Sequence, residues 1–262
     1  MSTDILNSMS ERILPYIDNY KYLYETHMHC RESSLCGVGS AIEMCEAYKS
    51  AGYTGIVMTN HNWGGNTCVD RALPWREWVG RFFEPFEQAR AYGANHDFDV
   101  FCGYEAGYDG TEFLIYGITP EWVADHPELK DATVKEQFEI VHEGGGIVIQ
   151  AHPFRLASYI HVERLYPTYV DGVEGINATH SSKWSPRHDP EADRRAIEYA
   201  RERKLPMTAG CDAHDTNILA GGMAFERRLT SADDFCKMIV NPSSRYLLCD
   251  GNLWYDRNGY AL

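Results

Sequence analysis

The chain has 262 residues, 44% of them hydrophobic and 24% charged, a globular balance that excludes a disordered or collagen-like chain and suits one large domain with its own core. Lys plus Arg number 24 against 38 Asp plus Glu, so the formal net charge is −14, a field that repels a phosphate backbone and makes nucleic acid a poor partner. No apolar run approaches the roughly 18 residues of a spanning helix, so no membrane partner is expected.

Residues 1–20 carry charges of both signs and no apolar stretch of the signal-peptide kind, and read as an N-terminal helical extension. The eight cysteines form no CxxC pair and sit mostly in apolar runs, the pattern of reduced thiols in a cytoplasmic protein. Beyond residue 20, short runs rich in Val, Ile and Tyr alternate with amphipathic stretches. The strand candidate Tyr22–Thr26 precedes a helical face marked by Ala41, Met44, Cys45 and Tyr48. Gly55–Asn60 is followed by 62–74, a loop with two glycines and Trp63 that suits either a substrate lid or a structural crossover. Trp78, Phe82, Phe83 and Phe86 mark the next helix, before the strand candidates Val100–Glu105 and Glu112–Gly117. Phe138 and Val141 mark a helix closed by three glycines, ahead of Ile147–Ala151 and Gly172–Asn177. Asp189 and Pro190 open a helix that reaches Lys204, and Met207–Cys211 is the seventh strand. Residues 215–262 read as a closing segment of the same single domain, 1–262, since no linker or repeat cuts the chain.

Seven strands alternating with helices predict parallel pairing and an α/β fold. The strand ends narrow this further. His27 and His29 follow the first, His61 the second, Glu105 the third and His152 the fifth. His180 lies three residues past the sixth, at Asn177, and Asp212 and His214 follow the seventh. An open sheet spreads strand ends along a line, whereas a barrel gathers them at one mouth, so a TIM-like (β/α)7 barrel is expected. Residues i and i+2 of a strand share a face, which lets His27 and His29, or Asp212 and His214, chelate one ion. Glu105 can bridge two ions through its two oxygens. No cysteine occupies a clear ligand position, so the expected shell is nitrogen and oxygen around two or three divalent ions, Zn, Mn or Fe. His96, His126, His142 and His161 lie away from strand ends and read as surface or helix histidines.

THMH (26–29), TNHN (59–62) with GYE (103–105), AHPFR (151–155) and CDAH (211–214) together resemble the four motifs of the PHP (polymerase and histidinol phosphatase) superfamily, from about Tyr22 to Val240. The resemblance implies a distorted seven-stranded barrel with a trinuclear site at its mouth. It implies His27, His29, Glu105 and Asp212 around the first metal, His152 on the second, and His61 with His214 on the third. Three positions depart from the family pattern. Asn60 stands where Asp is usual, Asn177 stands where many members have His or Cys, and the usual ligand after His-x-His has Glu32 as its nearest carboxylate. The family often adds a ligand near the fourth strand, where this chain offers Glu112.

Resemblance and metal chemistry together imply hydrolysis of a phosphate ester, most simply a small phosphomonoester, by a metal-activated water, with Glu105 and His180 as catalytic groups. Arg155 would clamp the phosphate, or form a salt bridge on the barrel rim. Lys183, Arg187 and His188 would either assist or remain a solvated loop. Amide hydrolysis, nuclease or phosphodiesterase action, and a non-catalytic metal barrel are the rival readings. Substrate identity and oligomeric state are not legible.

Overall fold

The structure, a computed structural model, describes residues 19–182 and 185–262. The expected N-terminal extension therefore lies almost wholly outside the described residues, as does Lys183. All seven expected strands form: β1 (Tyr22–Met28), β2 (Gly55–Met58), β3 (Asp99–Tyr108), β4 (Thr111–Tyr116), β5 (Ile147–Gln150), β6 (Gly172–Asn177) and β7 (Met207–Gly210). Around them lie α1 (Ala41–Ser50), α2 (Trp75–His96), α3 (Pro120–Asp125), α4 (Val134–Glu143), α5 (Ala178–Ser181), α6 (Pro190–Arg203) and α7 (Ala232–Val240). Reciprocal capping boxes start α1 (Ser40 with Glu43) and α4 (Thr133 with Glu136), fixing where the chain leaves the preceding loop. No helix among the described residues is long and apolar enough to cross a membrane. All eight cysteines are free thiols.

Neighbouring strands follow chain order from β1 to β7. The sheet curls until its ends meet at one point, where Met28 and Ala213 form an isolated parallel bridge. There His29 N donates to Ala213 O over 2.8 Å and Ala213 N to His27 O over 3.1 Å. The result is a curled, TIM-like half-barrel with one seam between β1 and β7.

Two features differ from the alternating parallel pattern that the sequence suggests. β4 runs antiparallel to both β3 and β5. Asp109 and Gly110 turn the chain with φ of 49° and 86°, the left-handed pair of a tight hairpin, and no room is left for a helical crossover. The segment after residue 215 is also more than a closing stretch. It supplies β8 (Gly222–Phe225), β9 (Tyr246–Cys249) and β10 (Trp254–Asp256), which extend the sheet antiparallel from the free edge of β1. The loop 62–74 is a crossover. Trp63 is buried, packs edge-on against Trp75 and Trp78, and accepts Arg71 Nε on its carbonyl.

One buried carboxylate ties the seam together. Glu25 Oε1 accepts from the backbone N–H groups of Thr26 (2.9 Å), His27 (2.7 Å) and Cys211 (2.8 Å), and Tyr48 of α1 donates its hydroxyl to Oε2 over 3.0 Å. Glu25→Ala strands four buried donors, the three N–H groups and the Tyr48 hydroxyl, at about 1–3 kcal/mol each. We expect it to lower stability by more than about 3 kcal/mol in denaturant titration, and a loss under about 1 kcal/mol would contradict this role. Glu25→Gln keeps the accepting oxygen and is expected to be far milder. Burial pushes the Glu25 carboxyl up to about 8, against the N–H groups of Cys211 and His27, which favour the anion. A carboxyl raised on folding stabilises below its unfolded range and loses that contribution as pH climbs through the folded value. The stability gap between wild type and Glu25→Gln should therefore move in favour of the amide between about pH 4.5 and about 8, read from melting curves at each pH.

Candidate metal centre

β1 sets the first pair. His27 and His29, two residues apart, share a face, and their Nε2 atoms lie 3.2 Å from each other. β3 brings Glu105 between four imidazoles. Its Oε1 is 3.3 Å from His27 Nε2 and 3.2 Å from His152 Nε2, while its Oε2 is 3.5 Å from His29 Nε2 and 2.8 Å from His61 Nδ1. Each oxygen thus faces a different pair, which is the placement a bridging carboxylate requires. Asp212 Oδ1 approaches His29 Nε2 (3.1 Å) and His27 Nε2 (3.5 Å).

Asp212 Oδ1 and His214 Nδ1 lie 3.7 Å apart, but the two residues fall in different groups of clustered ligand atoms. β7 ends at Gly210, and Asp212 takes a left-handed backbone with φ of 54°. Asp212 therefore turns toward His27 and His29, and His214 joins His29 and His61. His152 also lies at positive φ, 22°. Strain at two of the clustered residues means the surrounding structure enforces these positions.

Glu112 belongs to the cluster and Glu32 does not. Because β4 is antiparallel, its first residues stand at the mouth, and Glu112 lies 3.7 Å from both His61 Nδ1 and His152 Nε2. Glu32 is exposed, and its carboxylate accepts the Ala41 N–H at the start of α1. The ligand atoms form four overlapping groups, each within 4.8 Å: His27, His29 and Asp212; His27, Glu105 and His152; His29, His61 and His214; His61, Glu105 and Glu112.

This donor set fits divalent metal ions. His61 Nδ1 and Glu105 Oε2, though 2.8 Å apart, are buried and have no hydrogen-bond partner. Two orphaned acceptor-type atoms facing each other in a buried site mark a place for a shared cation. Electrostatics agree. Burial alone would lower His27, yet Glu174, Asp212 and Glu105 hold it well above the ordinary imidazole range. His61 is raised against burial by Glu105, and Glu105 and Asp212 are held well below the usual carboxylate range, against burial, by their imidazole neighbours.

Supporting groups complete the cluster. Glu174, buried in β6, accepts from His27 Nδ1 over 2.8 Å through Oε1, and its Oε2 accepts the strained His152 N–H over 3.0 Å. Sequence reading missed it, although a lone carboxylate inside GVEGIN was the available signal, because such a group must find a partner. Carboxylates that orient metal-binding imidazoles govern about 10–100-fold in affinity or activity. Glu174→Gln should weaken metal binding by about that factor in competition with a chromophoric chelator, and unchanged affinity would remove this role. Asn60 accepts from Cys30 N (2.8 Å) and Ser34 Oγ (3.1 Å), and Asn177 caps Thr179 N, so both hold backbone rather than face the cluster.

Above the cluster opens a cavity of about 680 Å³. His61, Glu112 and His214 form part of its wall, with Arg155, His180 and Arg187 around them. Arg155 pairs with Glu112 and donates to Tyr159 Oη (2.7 Å). Arg187 donates to Asp212 Oδ2 (2.7 Å) and lies against the His214 ring, whose Nδ1 donates to the Asp212 carbonyl over 2.6 Å. His180 is buried, with Nδ1 3.1 Å from Asp193 Oδ1. His188 is exposed, bonds the Ser182 carbonyl and does not reach the cavity, contrary to its expected place near substrate. Cys36 does line it, although no cysteine was expected there. Burial acts to raise its thiol, but hydrogen bonds with His214 and His61 bring it down to about 6. His96, His142 and His161 are exposed and His126 stacks on Trp122, all away from the centre as expected.

Residues 190–241, which include Asp212 and His214, match the PHP-associated family. The fold is similar to that of a two-domain protein from Bacteroides vulgatus containing a predicted PHP-like metal-dependent phosphoesterase. The TM-score is 0.65 and the identity 16%, over 89% of this chain and 68% of that one. It is also similar to an amidohydrolase from Chromobacterium violaceum with bound sulfate and no metal (TM-score 0.51, 14% identity, 73% of this chain and 87% of that one). PsfC from Pseudomonas syringae gives a TM-score of 0.51 at 14% identity, over 92% of this chain and 91% of that one. No curated protein matches the sequence. The resemblance read from the four motifs is borne out by the family match and by the fold.

Proposed function

We propose that this chain is a metal-dependent hydrolase whose substrate is a small phosphomonoester. The observation that carries the reading is the convergence of His27, His29, His61, Glu105, Glu112, His152, Asp212 and His214, with two buried ligand atoms that have no hydrogen-bond partner, at the floor of one cavity. Two or three divalent ions held there would supply Lewis acidity and an activated water. Glu105, Asp212 and the imidazoles would hold them.

Around that floor the protein's own groups divide the remaining work. Arg155, whose Nε is buried without a partner, orients phosphoryl oxygens as a planar donor. Arg187 lies on the opposite ligands and adds positive charge where the transition state gains negative charge. Asp193 fixes His180 with Nδ1 bound, which leaves Nε2 to give a proton to the departing alkoxide. The −14 net charge and a cavity of about 680 Å³ favour a small substrate over a nucleic acid.

Amide hydrolysis is the second reading. It is favoured because both arginines of the cavity wall are already paired, with Glu112 and with Asp212, which weakens the welcome for a dianion. One experiment separates the two. Phosphate release from a panel of phosphomonoesters and nucleotides is measured beside amine release from amides, with Mn-loaded, chelator-stripped and His61→Ala protein. Metal-dependent phosphate release lost in the variant supports the phosphoesterase. Amine release alone, with metal bound, replaces it with the amidase.

A further inference from the structure

We propose that the organic half of the substrate is uncharged and apolar, and that it packs against a rim formed by Leu156 and Tyr159 while the phosphoryl group reaches the metal centre. The inference rests on the phosphoesterase reading and names the substrate class of that same site.

Exposed apolar side chains concentrate around this cavity. Among the described residues nine large ones are exposed, and five of these sit on two short segments, Leu35 and Val38 on one, Leu156, Tyr159 and Val162 on the other. Leu156 is the most exposed of the nine, at 80%, Tyr159 stands at 57%, and both line the cavity. The first segment borders the same cavity. Leu35 N donates to the Asn66 carbonyl over 2.9 Å and Val38 N to that of His214 over 2.7 Å, and both acceptor residues belong to its wall. Single apolar residues scattered over a surface are ordinary, whereas a group of them beside a cavity marks a surface for a ligand.

The rim is held in place by its own bonds. Arg155 Nη2 donates to Tyr159 Oη over 2.7 Å, and the guanidinium carbon lies 5.7 Å from the centre of the tyrosine ring. Arg155 N donates to the His152 carbonyl and Ile160 N to that of Ala157, each over 3.0 Å. Farther along, Gln150 of β5 donates to the Arg164 carbonyl over 2.7 Å and accepts the Tyr166 N–H over 3.2 Å. The segment is thus tied down on both sides of Leu156 and Tyr159, so little further ordering is needed when a ligand packs on them.

The cavity wall divides by chemistry. His61, Glu112 and His214 belong to the groups of clustered ligand atoms, and Arg155 and Arg187 pair with Glu112 and Asp212. These groups serve the phosphoryl end. Leu156, Ala157, Tyr159 and Pro186 form the apolar remainder. Asp189 is the one lining carboxylate, among the described residues, outside the clustered groups. It opens α6 without a side-chain capping bond, and its charge works against a second anionic group on the substrate. A polyhydroxylated or doubly phosphorylated organic half would gain nothing from such a rim.

The test compares 2-phenylethyl phosphate with ethyl phosphate, two alkyl esters whose P–O bonds break with similar difficulty, on the Mn-loaded full-length chain. Binding of the two matching phosphonates is measured beside it by titration calorimetry. Wild type should favour the phenylethyl ester by about tenfold in kcat/KM, the low end of what an apolar contact contributes to discrimination, with the difference in KM. The phosphonates should differ by the same factor in Kd. Leu156→Ser, at an exposed position where the fold is not at stake, should bring both ratios close to one and leave turnover of ethyl phosphate unchanged. Equal kcat/KM and equal binding within the two pairs overturns the proposal and leaves the phosphoesterase standing, as does a preference that survives in both Leu156→Ser and Tyr159→Ser. No phosphate release from either ester and no phosphonate binding, at full metal content, overturns both. A wild-type dimer that Leu156→Ser dissolves in sedimentation gives the rim to a second copy of the chain and overturns the proposal as well.

Discussion

Glu105→Gln is expected to lower metal-dependent turnover by on the order of 10³-fold or more, a loss at least as large as that from removing one transition-state donor. The amide has almost the same shape, so the effect isolates charge and ligand count. Each carboxylate oxygen serves two imidazoles, His27 and His152 through Oε1, His29 and His61 through Oε2. Whichever way the amide lies, its NH2 faces two of these imidazoles and cannot ligate an ion shared with them. The substitution also removes one negative charge from a buried group of four imidazoles, which makes cation binding less favourable throughout the centre. Bound metal per chain should therefore fall along with turnover, while far-ultraviolet circular dichroism stays that of wild type. Turnover within tenfold of wild type at full metal content would show that Glu105 does not bridge.

Why these residues were legible, and others not, follows from what strand periodicity can report. Seven short runs such as IVIQ and MTAG declare themselves as strands, and a histidine just past the end of such a run has one place to go once the sheet curls. Direction is different. Nothing in TEFLIY distinguishes a parallel from an antiparallel strand, and only the Asp109–Gly110 turn, with both residues at positive φ, reverses it. That single reversal moves Glu112 from the far end of the barrel to its mouth. Glu32 was misplaced for a related reason. Proximity in sequence favoured the carboxylate, but Ser34 and Gly37 fold the segment so that Glu32 meets the N-terminus of α1. Strands β8 to β10 fall in the segment read only as a closing stretch, and pairing along β1 supplies their order.

His180→Ala should slow hydrolysis of an alkyl phosphomonoester by about 10²–10⁴-fold, the range of a positioned proton donor, and barely change hydrolysis of p-nitrophenyl phosphate. The contrast arises in the leaving group. An alkoxide must take a proton as the P–O bond breaks, whereas nitrophenolate departs as a stable anion and gains little from an acid. The proposed mechanism gives that step to His180. The ring is 2% exposed, its Nδ1 faces Asp193 Oδ1, and Asp193 is itself fixed by the Asn177 N–H and by Ser181 Oγ at 2.7 Å. Asp193→Asn keeps these positions but removes the charge behind the imidazole, so its loss should follow the same leaving-group pattern at smaller size. His180 stands outside the four groups of clustered ligand atoms, so bound metal should be unchanged in both variants. Equal slowing of alkyl and nitrophenyl esters at full metal content would mean that His180 shapes the cavity instead of delivering a proton. Slowing that tracks lost metal would make it a ligand, drawn in from beyond its present place once the ions are bound.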